Sequence, residues 1–201
     1  MSSKNESTAS LLRLVNREIW IVTSMAGDDR GGLVATWISA ASIDDDRPVI
    51  LAGIAPNHFT RDLIDRSGVF ALHLLTSEQL EVVWNFAFDS GRQRDKLASV
   101  AITQSDLGNP LLNECLAWFD CRVFASCDTG DRVFYWADVE ASKQMSEGKP
   151  LCEQDVFLAA DGDQLSQLKA DRDADVVLQR PWHDNWRNNL SAQPAQIHRT
   201  Q

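Results

Sequence analysis

The chain has 201 residues, 44% of them hydrophobic and 24% charged, which suits one globular domain large enough to bury a core. Its formal net charge of −10 excludes nucleic acid and anionic membrane surfaces as partners, because both need a basic face. Residues 1–10, MSSKNESTAS, are polar, and no apolar run approaches the ~20 residues of a membrane helix, so a cytoplasmic location is expected.

Residues 7–14 read as a short helix capped by Ser7 or Thr8 and presenting Leu11, Leu12 and Leu14. Ile19 to Ser24 is β-rich and ends in the turn-forming run Gly27-Asp28-Asp29-Arg30-Gly31-Gly32. A second strand is predicted from Leu33 to Ser42, followed by the charged loop Asp44 to Pro48. Val49 to Ile54 is almost wholly apolar and reads as a third strand covered on both faces. Asn57-His58-Phe59-Thr60 opens a helix running to Arg66, and Ser67-Gly68 ends it. After a strand from Val69 to Leu75, Thr76 and Gln79 stand at capping-box spacing before a helix carrying Leu80, Val83 and Trp84.

A polar stretch, Asp89 to Lys96, precedes the clearest local signal, a hairpin. In residues 115–127 the odd positions are all apolar, from Cys115 through Phe119 and Val123 to Cys127, while the even ones include Asp120, Arg122 and Ser126. Asp128-Thr129-Gly130-Asp131 makes the turn, and Arg132 to Ala141 returns. A helix at 163–170 and a tail with Pro181, Trp182 and Trp186 follow, and the tryptophans argue that the tail packs on the body. The cysteines, at 115, 121, 127 and 152, form no C-x-x-C pair, so free and mostly buried thiols are expected rather than a metal site. Six or seven strands with short helices, in no regular alternation, predict an antiparallel, Greek-key-like barrel over one domain. Its core spans about 10–160, with a C-terminal helix and tail over 161–201.

Four segments, in order and spacing, resemble the flavin reductase-like, FMN-binding split-barrel family. They are IWIVTS at 19–24, GGLVATWISAAS at 31–42, PVILAGIAPNHFTRDLIDRSG at 48–68 and DTGDRVFYWADVEA at 128–141. The resemblance implies a split β-barrel that dimerises and holds FMN, with FAD as the alternative flavin, near the dimer interface. It places Ala35, Thr36, Trp37 and Ser39 along the flavin, with the two hydroxyls toward ribityl or phosphate. Ile54, Asn57, His58 and Thr60 form the second contact stretch, where a helix start suits a phosphate. A third, Gly91 to Lys96, resembles the family's G-R-x-x-D-K-F region and offers Arg92 and Lys96 to the phosphate. Without the resemblance, Thr36 and Ser39 read as solvent-facing strand residues, and 92–96 as a solvated loop.

Two positions depart from the family. Arg132 stands where reductases commonly carry the histidine of Gly-Asp-His near the nicotinamide, and Ala137 replaces a glycine. The resemblance implies an NAD(P)H-dependent flavin reductase that passes electrons through bound FMN, with a partner monooxygenase among the acceptors. Arg132 would then meet a dinucleotide phosphate. The alternative is a flavin carrier or sensor without turnover.

Overall fold

The computed structural model describes residues 8–190 and 198–199. Helix α1 (Thr8–Leu12) is followed by β1 (Trp20–Ala26), β2 (Asp29–Ala35), β3 (Ile38–Ala40), β4 (Val49–Ile54), α2 (Phe59–Ser67) and β5 (Val69–Leu74). Next come α3 (Leu80–Ala87), the short β6 (Ile102–Gln104) and β7 (Pro110–Leu112), the long β8 (Ala117–Asp128) and β9 (Val133–Gln144), α4 (Glu153–Ala159) and α5 (Gly162–Asn189). A two-residue strand, β10 (His198–Arg199), pairs with β8.

Seven strands form one antiparallel sheet in the order β2-β1-β5-β8-β9-β4-β3. Its two end strands, β2 and β3, are separated in sequence by only Thr36 and Trp37. A sheet whose opposite edges are joined by two residues must curl until they meet, and this produces the split barrel. The predicted strand 33–42 is therefore two strands on opposite edges, and the break at 36–37 is the crossover. The antiparallel barrel expected from the sequence is otherwise the observed fold.

The hairpin follows the predicted alternation over 121–125, where Cys121, Val123 and Ala125 are buried while Arg122 and Phe124 face out, but not before it, since Ala117 to Phe119 are all half-buried and Asp120 is buried. Register shifts at Asp120/Cys121 and Val123/Ala125 bend the 12-residue strand. Three expectations need correction. The strands buried on both faces are β1, at residues 21–24, and β5, at 69–73, whereas the first half of β4 is only half-buried beside the edge strand β3. Gly31 and Gly32 belong to β2, and the turn shrinks to Gly27-Asp28 with Gly27 at φ +64°. A Cβ on Gly32 would come within 2.6 Å of Phe86 Cε1, and one on Gly31 within 3.2 Å of Phe59 and Leu63, so these glycines admit helix side chains onto the sheet. Third, the C-terminal helix spans 28 residues, from Gly162 to Asn189, and absorbs the predicted tail with its Pro181.

Helix α2 runs as expected, ended by Gly68 in the left-handed conformation at φ +71°, and it buries Leu63 and Ile64 fully, each contributing about 2 kcal/mol. Thr76 and Gln79 form their capping box ahead of α3. Helix α1 covers residues 8–12 of the predicted 7–14 segment, residues 13 and 14 form a turn, and Ser7 lies outside the described residues. The four cysteines are free, Cys115 and Cys121 being buried, and no cluster of metal-ligating side chains occurs among the described residues.

Candidate functional site

The crossover that closes the barrel also shapes its surface. Where β2 passes into β3, Trp37 turns outward, 41% exposed, and stacks on Phe134 of β9 with ring centroids 6.2 Å apart and planes 23° apart. Gly53 of β4 lies beneath the pair, where a Cβ would come within 2.9 Å of Phe134 Cε1 and 3.3 Å of Trp37 Cβ. The result is a flat aromatic wall. It bounds an open groove of 280 Å³, which Thr36, Ile38, Ser39, Leu51 and Arg17 complete.

Beyond Trp37 the surface becomes polar. The Arg132 guanidinium, at the start of β9, sits over the Trp37 ring at 4.7 Å. It donates to the Asp131 carbonyl at 2.5 Å and to Gln179 Oε1 of α5 at 2.8 Å. Gln179 Nε2 donates in turn to Asn57 Oδ1 at 3.0 Å, and Asn57 Nδ2 donates to Asp175 Oδ1 at 2.9 Å. Arg92 reaches the same place from the loop after α3, donating to the Asn57 carbonyl at 3.0 Å, pairing with Asp62 and lying over the Phe59 ring. His58 occupies the N-cap position of α2 without a side-chain cap bond, so its own side chain leaves the N–H groups of that first turn uncovered. Burial lowers the His58 pKa; Asp175 opposes the shift, and Arg132, Lys96 and Arg92 add to it. The same balance governs Arg132, whose pKa burial lowers while Asp131 and Asp175 raise it.

The structure therefore gathers Trp37, Thr36 and Ser39 at the groove, and Asn57, His58, Arg92 and Arg132 at the polar niche joined to it by the Arg132–Trp37 contact. Ala35 and Ile54 are buried strand ends behind them, and Thr60 is buried in the first turn of α2. Lys96 is placed differently. Its ammonium donates to the Phe86 carbonyl at 2.8 Å and the residue is 4% exposed, so it satisfies the end of α3 while its charge still reaches His58. Burial, with Arg94 beside it, brings its pKa down to about 8.

Sequence reasoning missed Asp175, Gln179 and Phe134. The first two sit in a segment read as tail. The signal for the helix was present in Asp161 and Gln164, which form a capping box with Asp161 accepting from the Gln164 amide at 2.8 Å. A larger cavity, of 380 Å³, opens between Arg61, Asp65 and Tyr135 but contains none of the predicted residues, and the Tyr135 hydroxyl donates to Asp65 across it at 2.6 Å. The smaller groove, with an aromatic wall and converging donors, is the candidate site.

A planar redox ring bearing a phosphate needs a flat wall, short hydroxyls and a concentration of donors. Trp37 with Phe134, Thr36 with Ser39, and Arg92 with the uncapped start of α2 supply these, so the residues present fit a flavin mononucleotide.

Comparison with known proteins agrees. The family model for the flavin reductase like domain matches residues 12–155. Over 115 residues the chain is 31% identical to the reductase subunit HsaB of a flavin-dependent monooxygenase from Rhodococcus jostii, covering 56% of this chain and 56% of that one. It is 26% identical over 128 residues to a diflavin flavoprotein of Nostoc, covering 63% of this chain but 22% of that one. The chain thus spans about a fifth of the length of such relatives. Among solved structures, a homologue of nitrilotriacetate monooxygenase component B from Mycobacterium thermoresistibile superimposes with a TM-score of 0.62 at 27% identity, over 70% of this chain and 75% of that one. With the family model covering well over half of its residues, this chain belongs to the flavin reductase like domain family.

Proposed function

We propose that the chain is a flavin reductase that binds FMN with its ring against the Trp37–Phe134 wall and its phosphate in the niche of Asn57, His58 and Arg92. The observation that carries this reading is the adjacency of the two parts, held together by Arg132 over Trp37 at 4.7 Å. When bound, the flavin supplies the redox chemistry, accepting hydride from a nicotinamide and passing electrons onward. The protein's share is to present a flat surface, hold the phosphate and restrict water. No acid–base side chain is required, in keeping with a niche whose polar groups are mostly donors. Thr36 and Ser39, which line the groove, are proposed to meet the ribityl hydroxyls. FMN is proposed in preference to FAD because the niche offers contacts for one phosphate, at Asn57, His58 and Arg92.

NAD(P)H is the proposed hydride donor, with Arg132 as its phosphate contact in place of the family's histidine. A second copy of the chain is proposed to complete the open side of the groove, and a flavin-dependent monooxygenase to consume the reduced flavin, as the naming of HsaB suggests. The cytoplasm is the proposed location; no described helix is long and apolar enough to cross a membrane.

The test is steady-state oxidation of NADH and NADPH by the purified chain, with and without added FMN. Turnover that depends on FMN is expected. Flavin binding without turnover would favour a carrier or sensor, and a colourless protein indifferent to FMN would overturn both readings. Arg132→Ala is expected to raise the KM for the nicotinamide about tenfold, the loss of one charge-assisted contact of about 1.4 kcal/mol, and to leave FMN binding nearly unchanged. Unchanged KM would remove Arg132 from the site.

A further inference from the structure

Helix α5 is attached in an unusual way. Of its 28 residues only Gln179 is buried, while Val177 is 75% exposed and Leu165, Val176 and Leu178 also face outward. Apolar burial, which normally fixes a helix to its domain, is nearly missing here. What holds α5 is polar and converges on one spot.

Residues 175, 179 and 183 recur at four-residue intervals and so share one face. Asp175 accepts from Asn57 at 2.9 Å, and Gln179 bridges Asn57 and Arg132 at 3.0 and 2.8 Å. His183 Nδ1 lies 3.1 Å from Asp131 Oδ1 and 3.2 Å from the Thr129 carbonyl. Beside it the Trp182 carbonyl seats against Gly130, where a Cβ would come within 2.4 Å. The helix thus takes up Asn57, assigned above to the flavin phosphate, and Arg132, assigned above to the nicotinamide. Asp175 brings a carboxylate next to Asn57, Arg132 and His58, where it compensates charge as a phosphate would.

We propose that α5 is a latch. In the flavin-free chain Asp175 and Gln179 occupy the Asn57 side chain, and the flavin phosphate displaces them from it, so that docking of α5 and binding of FMN oppose each other. The proposal rests on the flavin reading of the niche. Two features of the helix favour displacement over joint binding. Asp175 would repel a phosphate dianion at hydrogen-bonding distance of Asn57. A helix with one buried residue also gives up little apolar contact when it leaves. Because linkage is reciprocal, FMN must loosen α5 by the same factor by which α5 weakens FMN.

The test uses the full chain and two readouts. The double variant Asp175→Asn, Gln179→Ala is titrated with FMN by quenching of flavin fluorescence, and amide hydrogen exchange of residues 175–188 is followed in the unaltered chain as FMN is added. An affinity about tenfold tighter in the variant is expected, with faster exchange of α5 in the unaltered chain when FMN is bound. Riboflavin, which lacks the phosphate, is expected to gain nothing from the substitutions. Equal or weaker FMN binding by the variant, slower exchange of α5 with FMN, or an equal gain for riboflavin would each overturn the latch while leaving the flavin assignment standing. Failure of both chains to bind FMN would overturn the flavin assignment and the latch with it.

Discussion

Two histidines, fifteen residues apart, are both pushed toward the neutral form by burial, yet they sit in opposite kinds of surroundings. His73, on the doubly buried strand β5, is completely enclosed, and both ring nitrogens are engaged: Nδ1 lies 3.1 Å from the Ile21 carbonyl, and Nε2 accepts the Leu112 amide at 3.1 Å. The pair of bonds fixes the tautomer with the proton on Nδ1 and ties the large sheet to β7. His58 is half-buried at the start of α2, surrounded by Arg132, Lys96, Arg92 and Asp175, and its ring makes no hydrogen bond among the described residues. A polar side chain whose partners come from the sheet contributes to folding. One whose capacity is unfilled, beside cations of which Arg132 is held by a loosely attached helix, is available to a ligand.

The strongest way to break this contrast is His73→Leu. The substitution keeps the volume but removes the acceptor for the Leu112 amide, leaving a buried N–H without a partner. A loss of about 3 kcal/mol in unfolding free energy is expected by chemical denaturation, with FMN affinity of the remaining folded protein unchanged. A loss confined to flavin affinity would place His73 in the wrong class.

The next effect is on acid stability. Burial takes the His73 pKa from 6.5 down to about 4, so the folded state requires the neutral ring. This contribution is complete above pH 6.5 and is lost progressively as the pH falls toward 4, since the unfolded chain gains a proton that the folded chain refuses. By pH 5 the unaltered chain is expected to have lost about 2 kcal/mol through this group. The His73→Leu variant should lack that part of the decline, and parallel curves for the two chains would contradict the assignment.

The same contrast explains what was legible in the sequence. The β8–β9 hairpin could be read because an apolar–polar alternation leaves only one register that buries Cys121, Val123 and Ala125. Helix α2 could be read because Gly68 and the Phe59/Leu63 spacing are local signals. The break at Thr36–Trp37 could not, since VATWIS is β-forming on both sides and the interruption is imposed by closure of the sheet. Gly31-Gly32 were misread because glycine usually marks a turn, whereas here it makes room for Phe59 and Phe86, residues distant in sequence. Lys96 looked like part of an exposed basic cluster, and its partner, the Phe86 carbonyl, is visible only once α3 is in place. Helix α5 carries almost no apolar face toward the domain, so the periodicity that announces most helices is missing, and with it went Asp175 and Gln179. The groove was reached through family resemblance; the helix that covers its polar end was not.

A smaller effect on folding is expected at the second histidine. His58→Ala removes no hydrogen bond, so the unfolding free energy should change by less than about 1 kcal/mol, whereas FMN affinity should fall several-fold through loss of a donor beside the phosphate. If instead it destabilises as much as His73→Leu, the two sites are alike and the distinction drawn from their hydrogen bonds fails.

The finest test is the titration of His58 itself. In the flavin-free chain, burial and three cations hold its pKa below 6.5 against the single opposing pull of Asp175. A phosphate seated at Asn57 and Arg92 adds negative charge beside the ring and favours the imidazolium, so the pKa must rise when FMN binds, even though Asp175 moves away. Proton NMR of the four histidines, with and without FMN, separates the outcomes. His73 lies in the sealed strand and should stay near 4 in both states, providing an internal reference. An upward shift of His58 alone locates the anion at the start of α2. A shift absent at His58, in a chain that nonetheless binds FMN, would move the phosphate elsewhere along the groove and leave Trp37 and Phe134 as the only part of the assignment intact.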